Sequence, residues 1–113
     1  TLSNDKVRFP VNKAEISDEA KAMIDEAVGP LVKENRGVWF EIEGHTDNTG
    51  DAAYNFGLGE ERAMAVRDYI ARTHAVALNR LNVISYGEEK PVAENKTRDE
   101  RAQNRRVVIR ILE

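Results

Sequence analysis

The residues best suited to chemistry lie in one stretch, Glu43-Gly44-His45-Thr46-Asp47-Asn48-Thr49-Gly50, and in Arg62 downstream of it. The stretch is dense in hydrogen-bonding groups and carries a glycine near each end, where the backbone can take angles that other residues resist. Asp47 is an acceptor for a cationic group, and Arg62 is a donor for an anionic one. Together they could clamp a zwitterion: Asp47 takes the ammonium, and Arg62 takes the carboxylate in a two-point fork. Two plainer readings compete with the clamp. Asp47 could be a turn aspartate that caps backbone N–H groups, or Asp47 and Arg62 could form an ion pair with each other.

Other chemistries fit poorly. His45 and His74 are the only histidines, and no metal-ligand spacing accompanies either. His45 therefore reads as a packed or hydrogen-bonded side chain. Asp47 to Asp51 resembles the start of a calcium loop, but such a loop needs a glutamate at position 12, which here is Leu58. No serine lies in a Gly-x-Ser-x-Gly setting, there is no cysteine, and no phosphate loop or dinucleotide fingerprint appears. The expectation is a protein that is not an enzyme and needs no cofactor or metal. The 113 residues are 41% hydrophobic and 33% charged, with a net charge of -3. That suits one folded domain spanning residues 1–113, and it argues against a general nucleic-acid binder. No apolar run approaches the roughly 20 residues of a membrane helix. The chain starts at Thr1, so we expect an excised domain or a processed chain whose targeting segment lies outside it.

Several elements must position these groups. Val7-Arg8-Phe9 reads as a short first strand limited by Pro10. Ser17 is an N-cap, followed by a helix whose apolar stripe is Ala20, Met23, Ile24, Ala27, Val28, Leu31 and Val32. Gly29-Pro30 should kink or break that helix, because an interior proline costs about 3 kcal/mol. Gly37 suits the position just past its end. Val38–Glu43 is a strand with Val38, Phe40 and Ile42 on one face and Trp39, Glu41 and Glu43 on the other. A strand apolar on one face predicts helices on one side of the sheet only. A helix follows from about Asp51 to Thr73, which Gly57 and Gly59 should weaken or divide. Asn55, Leu58 and Arg62 share a face of it, continued by Val66, Tyr69 and Ile70, which puts Arg62 at the rim of the apolar stripe. Leu81–Tyr86 is a third strand, 87–97 a polar loop, and Arg98–Gln103 a short helix or turn. The last strand, Arg105–Leu112, places Val107, Ile109 and Ile111 on the covered face together with Arg105. Arg98, Arg106 and Arg110 should be solvated and salt-bridged. The order β-α-β-α-β-β predicts an α+β sandwich: one mixed sheet with two main helices packed on one face.

Taken in order, Gly44-His45-Thr46-Asp47, Asn55, Leu58, Arg62-Ala63, Tyr86-Gly87-Glu88, Pro91, Asn95-Lys96-Thr97, Arg101 and Asn104-Arg105-Arg106-Val107 resemble the OmpA-like peptidoglycan-binding domain. The resemblance runs from about Val7 to Leu112. It implies a non-catalytic module that binds the diaminopimelate of the peptidoglycan peptide stem. Such a module anchors an outer-membrane or envelope protein to the cell wall in the periplasm of a Gram-negative bacterium. By position, the gripping pair is Asp47 and Arg62, with supporting contacts from Asn12, Thr49, Asn55, Leu58, Arg101 and Arg105. Replacing Asp47 or Arg62 with alanine should then abolish binding and leave the fold intact. Peptidoglycan is the implied partner, with other envelope proteins as further partners, no nucleic acid, and contact with a membrane only through a segment outside this chain. The alternative is an envelope protein-interaction module that has lost wall binding and uses the 87–97 loop as its surface. A wall hydrolase is the weakest reading, for want of a nucleophile or metal.

The chain departs from the family pattern at three places. Gly59 stands where the family usually has serine, Ser85 where it often has glycine, and Glu100 where it usually has glycine. The expected effects are a looser entry to the second helix at Gly59 and added negative charge beside the site at Glu100.

Overall fold

Ser17 starts the first helix by accepting the Ala20 N–H on its hydroxyl at 3.1 Å, and Asp18 and Glu19 complement the positive end of the helix dipole. The computed structural model describes residues 2–10, 13–34 and 37–112. Along it run β1 (Leu2–Arg8), α1 (Asp18–Lys33), β2 (Trp39–His45), α2 (Ala52–His74), β3 (Leu81–Gly87), α3 (Arg98–Asn104) and β4 (Arg106–Leu112). A short 3-10 turn, Leu78–Arg80, leads into β3.

The four strands form one mixed sheet in the order β1-β4-β2-β3. β2 is parallel to β3, and β4 is antiparallel to both β1 and β2. The α+β sandwich expected from the residue pattern is the fold observed. Its core lies between the sheet and the two long helices, where Ile24 and Val28 of α1 and Val66 and Ile70 of α2 meet Phe40, Ile42, Val107 and Ile109. The short strand expected at Val7–Phe9 is longer, because β1 finds a full antiparallel ladder on β4. Val7 and Phe9 are buried and flank exposed Arg8, as strand alternation requires.

Several local expectations need correcting. α1 runs through Gly29-Pro30 without a break. Pro30 removes one backbone bond, but Pro30 and Glu26 are both solvent-exposed, so water can take up the freed carbonyl. Met23 is 42% exposed and lies off the buried stripe of Ala20, Ile24 and Val28. Gly37 has φ +64 but lies beyond the Glu34 cap, in the approach to β2. α2 is continuous through both glycines, and its N-cap is Asp51, which accepts from the Tyr54 N–H at 3.2 Å. Gly59 therefore does not govern entry to α2.

What Gly59 governs is distance. A Cβ placed on Gly44 would run into the Gly59 carbonyl, and one placed on Gly59 would lie 2.6 Å from Ser85 Oγ. The helix backbone thus rests on the strand backbone at the end of β2 where the chemistry-bearing turn begins. The departures at Gly59 and Ser85 are one feature in space. The hydroxyl absent from α2 is supplied by β3, where Ser85 Oγ donates to the Phe56 carbonyl at 2.7 Å.

Candidate functional site

The turn after β2 is built by its own side chains. Asp47 Oδ1 accepts the Thr49 N–H at 2.9 Å, Thr46 Oγ1 donates to the Asp47 carbonyl at 2.8 Å, and the Thr46 N–H donates to the Gly87 carbonyl at 2.9 Å. Gly50, with φ +89, turns the chain toward α2. Asn55 then ties this turn to the loop after β3, its Nδ2 donating to the Thr49 carbonyl at 3.1 Å and to Glu88 Oε1 at 3.0 Å.

The cap reading of Asp47 is therefore correct, and an ion pair forms too, but its partner is Arg105. Arg105 Nη1 lies 3.0 Å from Asp47 Oδ2, and Arg105 Nε donates to the Phe9 carbonyl at 3.0 Å. The sheet register explains the pairing. His45 stands opposite Arg106, so the residues just past the end of β2 meet those just before β4.

Arg62 lies deeper than the rim expected for it, at 0% exposure. Its Nε donates to the Lys13 carbonyl at 2.7 Å, Nη1 to the His45 carbonyl at 3.1 Å and Nη2 to the Pro10 carbonyl at 2.9 Å. The guanidinium sits 5.3 Å from the centre of the Phe9 ring. These bonds use three of its five N–H groups and leave one on each terminal nitrogen. Arg62 thus fastens the loop before α1 to the end of β2. The expectation that Arg62→Ala would spare the fold does not survive this geometry.

Between these groups lies a cavity of about 260 Å³, lined by Thr46, Asp47, Thr49, Tyr54, Asn55, Leu58, Arg62 and Arg105. Six of the eight site residues expected from the sequence meet there. Arg101 does not border it; its Nη1 donates to the Asn95 carbonyl at 3.3 Å instead. Asn12 lies outside the described residues. Glu100 also stays clear of the wall, because its carboxylate closes a capping box at the start of α3. Tyr54 was not singled out in the sequence, although its place one turn before Leu58 on the Asn55 side of α2 is the signal that could have found it. Asn104, named from the sequence only within a motif and given no role, is fully buried and holds the 92–95 segment, accepting from the Val92 N–H at 2.7 Å and donating to Asn95 Oδ1 at 2.7 Å.

Asp47 and Arg62 are both charged at neutral pH, the first helped by its surroundings and the second in spite of them. Burial pushes the Asp47 carboxyl up, but the Thr49 backbone N–H, Arg105 and the Thr49 hydroxyl outweigh it and hold Asp47 below the usual carboxylate range. Burial pulls the Arg62 guanidinium down to about 10, with Asp47 opposing and Arg105 assisting. At neutral pH the cavity wall therefore carries an ionised carboxylate and two guanidinium groups.

His45 serves the other side of the sheet. Its ring stacks on Tyr86 with centroids 5.4 Å apart, and Glu43 Oε1 is 3.5 Å from Nε2, at the edge of hydrogen-bonding reach. Neither ring nitrogen has a partner of proper geometry among the described residues. Burial, then Arg106, bring its pKa down to about 4 against the pull of Glu43, so the ring is neutral at neutral pH. Arg106, expected to be solvated, is only 4% exposed, because the loop after β3 closes over it and Lys90 offers its carbonyl at 3.0 Å.

Comparison with known proteins places the fold that carries this geometry. The model of the OmpA family matches residues 8–105. The chain is 40% identical over 101 residues to outer membrane porin F of Pseudomonas aeruginosa, covering 89% of this chain and 29% of the porin. It is 41% identical over 105 residues to the peptidoglycan-associated lipoprotein of Rhizobium meliloti, covering 92% of this chain and 58% of the lipoprotein. The crystal structure of the peptidoglycan-associated lipoprotein from Burkholderia pseudomallei superposes with a TM-score of 0.85 at 30% identity, covering 94% of this chain and 88% of that one. The chain thus spans well under two thirds of the length of the porin and the Rhizobium lipoprotein.

Proposed function

The chain belongs to the OmpA family, and on that premise we propose that it is a non-catalytic peptidoglycan-binding module acting in the periplasm. It holds an outer-membrane or envelope protein to the cell wall by gripping the diaminopimelate of the peptide stem. One relative is named as an outer membrane porin and another as a peptidoglycan-associated lipoprotein, which supports the wall as partner and the envelope as location.

The observation that carries the reading is a cavity lined by one carboxylate and two guanidinium groups, one of them paired with that carboxylate. The side-chain end of diaminopimelate carries an ammonium and a carboxylate on one carbon. A head of that kind lies antiparallel to an Asp–Arg pair, its ammonium toward Asp47 and its carboxylate toward Arg105 and the remaining N–H groups of Arg62. Thr49 and Asn55 border the polar side, and Leu58 meets the methylene stem. A volume of about 260 Å³ lies below the roughly 300–1,000 Å³ of drug-sized ligand pockets, so it suits the end of one amino acid rather than a sugar pair. Among the lining residues there is no imidazole, thiol or amine to act as a base. The one carboxylate is held in its charged form, which makes it a poor proton acceptor. A single site of modest affinity suffices, since a polymeric ligand and membrane-fixed copies raise the effective concentration.

The test is a titration of labelled protein with meso-diaminopimelate, read by amide shifts, beside co-sedimentation with purified sacculi. Shifts centred on Gly44–Gly50, Asn55–Arg62 and Arg105 are expected. In Asp47→Asn, which keeps shape and removes charge, they should vanish while the protein still unfolds cooperatively, its midpoint lowered by loss of the Arg105 pair. Absence of shifts at millimolar ligand together with no retention on sacculi would overturn the reading and leave the protein-interaction module.

A further inference from the structure

The sheet has a second face, which neither long helix covers. Residues directly opposite across the strands share it: His45, Arg106 and Arg8 in one row, Glu43 and Val108 in the next, then Glu41 and Arg110, then Trp39 and Leu112. The loop after β3 walls one side of this face, and the groove between them measures about 490 Å³.

Two features of the groove bear on what it takes. The first is charge. Three cations of the lining, Lys90, Arg106 and Arg110, stand against two carboxylates, Glu41 and Glu43, on a chain whose net charge is -3, and Arg8 stands beside Arg106 in the strand register. Arg110 pairs with Glu43. The other cations are held by neutral groups: Arg8 by the Gln103 carbonyl, Arg106 by the Asn104 and Lys90 carbonyls, and Lys90 by the Tyr86 ring at 3.9 Å. Arg106 Nε, buried and lining the groove, has no hydrogen-bond partner among the described residues. The lining thus carries one more cation than carboxylates, and Lys90 and Arg106 have no carboxylate bonded to them among the described residues.

The second feature is periodicity. Residues two apart on a strand share a face, so β4 lines the groove with Arg106, Val108, Arg110 and Leu112 in turn, cation, apolar, cation, apolar, with Arg106 and Val108 buried in its floor and Arg110 and Leu112 nearer solvent. Leu112 is 43% exposed and Val92, on the wall, is 50% exposed. A compact anion would need one cationic point. A strip that alternates charge and apolar surface over one strand length fits an extended chain with the complementary alternation.

We propose that this bare face is a docking surface for an extended acidic segment of a partner protein, its carboxylates alternating with apolar side chains. The surface lies on the opposite side of the sheet from the Asp47–Arg105 cavity, so wall and partner can be held at once.

The test uses the labelled protein and a capped hexapeptide of alternating glutamate and leucine. A lysine–leucine peptide and phosphatidylglycerol vesicles serve as comparisons. Amide shifts at Lys90 and along Arg106–Leu112 that fade as salt is raised are the expected result. Lys90→Glu, at an exposed position, should weaken the acidic peptide about fivefold and leave the diaminopimelate titration unchanged. Leu112→Asn, which removes apolar surface without adding charge, should weaken the peptide by a similar factor and leave its salt dependence unchanged. No shifts at millimolar acidic peptide, an equal response to the lysine peptide, or binding of the vesicles in place of the peptide would each overturn the proposal.

Discussion

Gly59→Ser tests whether the packing beneath the site is a matched pair. Serine in place of a mid-helix glycine gains roughly 0.5 kcal/mol of helix propensity. Against that, its Cβ would stand 2.6 Å from Ser85 Oγ and 3.1 Å from the Gly44 carbonyl oxygen. Ser85 cannot step aside freely, because its Oγ donates to the Phe56 carbonyl at 2.7 Å and accepts from the Gly87 N–H at 3.2 Å. Overpacking of this kind costs about 1–3 kcal/mol, so the single variant should lose about 1–2 kcal/mol net. Ser85→Gly alone forfeits the bond to Phe56 and places a glycine in a strand, again about 1–2 kcal/mol. In the double variant the obstacle is gone. It should therefore be more stable than the sum of the singles by at least about 1 kcal/mol. Urea unfolding of the four proteins, followed by far-UV circular dichroism, gives the coupling directly. If the two changes add to within about 0.5 kcal/mol, the contact between α2 and β3 does not act as argued, and the departures at these positions are unrelated.

Three further outcomes follow from the site. Arg62→Ala should lose about 3–5 kcal/mol, since three backbone carbonyls lose a charged donor in a buried setting; Arg62→Lys should recover part of it, and a loss below about 1 kcal/mol in the alanine variant would refute the tie. The unfolded chain protonates His45 near 6.5, but the folded chain does so only near 4. Stability should therefore be full above 6.5 and fall by up to roughly 3 kcal/mol as pH drops toward 4. Denaturation series at stepped pH should show that slope flattened in His45→Gln, and a flat parent profile between neutrality and pH 5 would contradict it. In the proposed orientation, amidated diaminopimelate should bind more weakly than the free form, because amidation neutralises the carboxylate that would face Arg105 and Arg62; equal affinities by calorimetry would exclude that orientation.

The architecture was legible in the sequence because its signals are local. Period-two and period-3.6 patterns placed β2, β3, β4 and both long helices, and the parity of Val107, Ile109 and Ile111 put Arg105 on the covered side. Residue types also marked Asp47 and Arg62 as the charged centre of the turn. The local penalties at Pro30, Gly57 and Gly59 were real but small beside tertiary packing, which carried both helices through them.

Which charges meet was settled only by the tertiary structure. Asp47 and Arg105 are 58 positions apart in the chain, and only the antiparallel register of β2 on β4 sets them face to face. That contact gives Asp47 to Arg105 and leaves Arg62 to the carbonyls of Pro10, Lys13 and His45, a role no side-chain pattern encodes, because backbone acceptors look alike in every residue. The same register buries Arg106 and gathers Arg8 and His45 beside it on the face away from the long helices, whereas strand alternation alone marks that face as solvent. Sequence periodicity tells which way a side chain points; what waits there depends on strands and loops brought in from elsewhere in the chain.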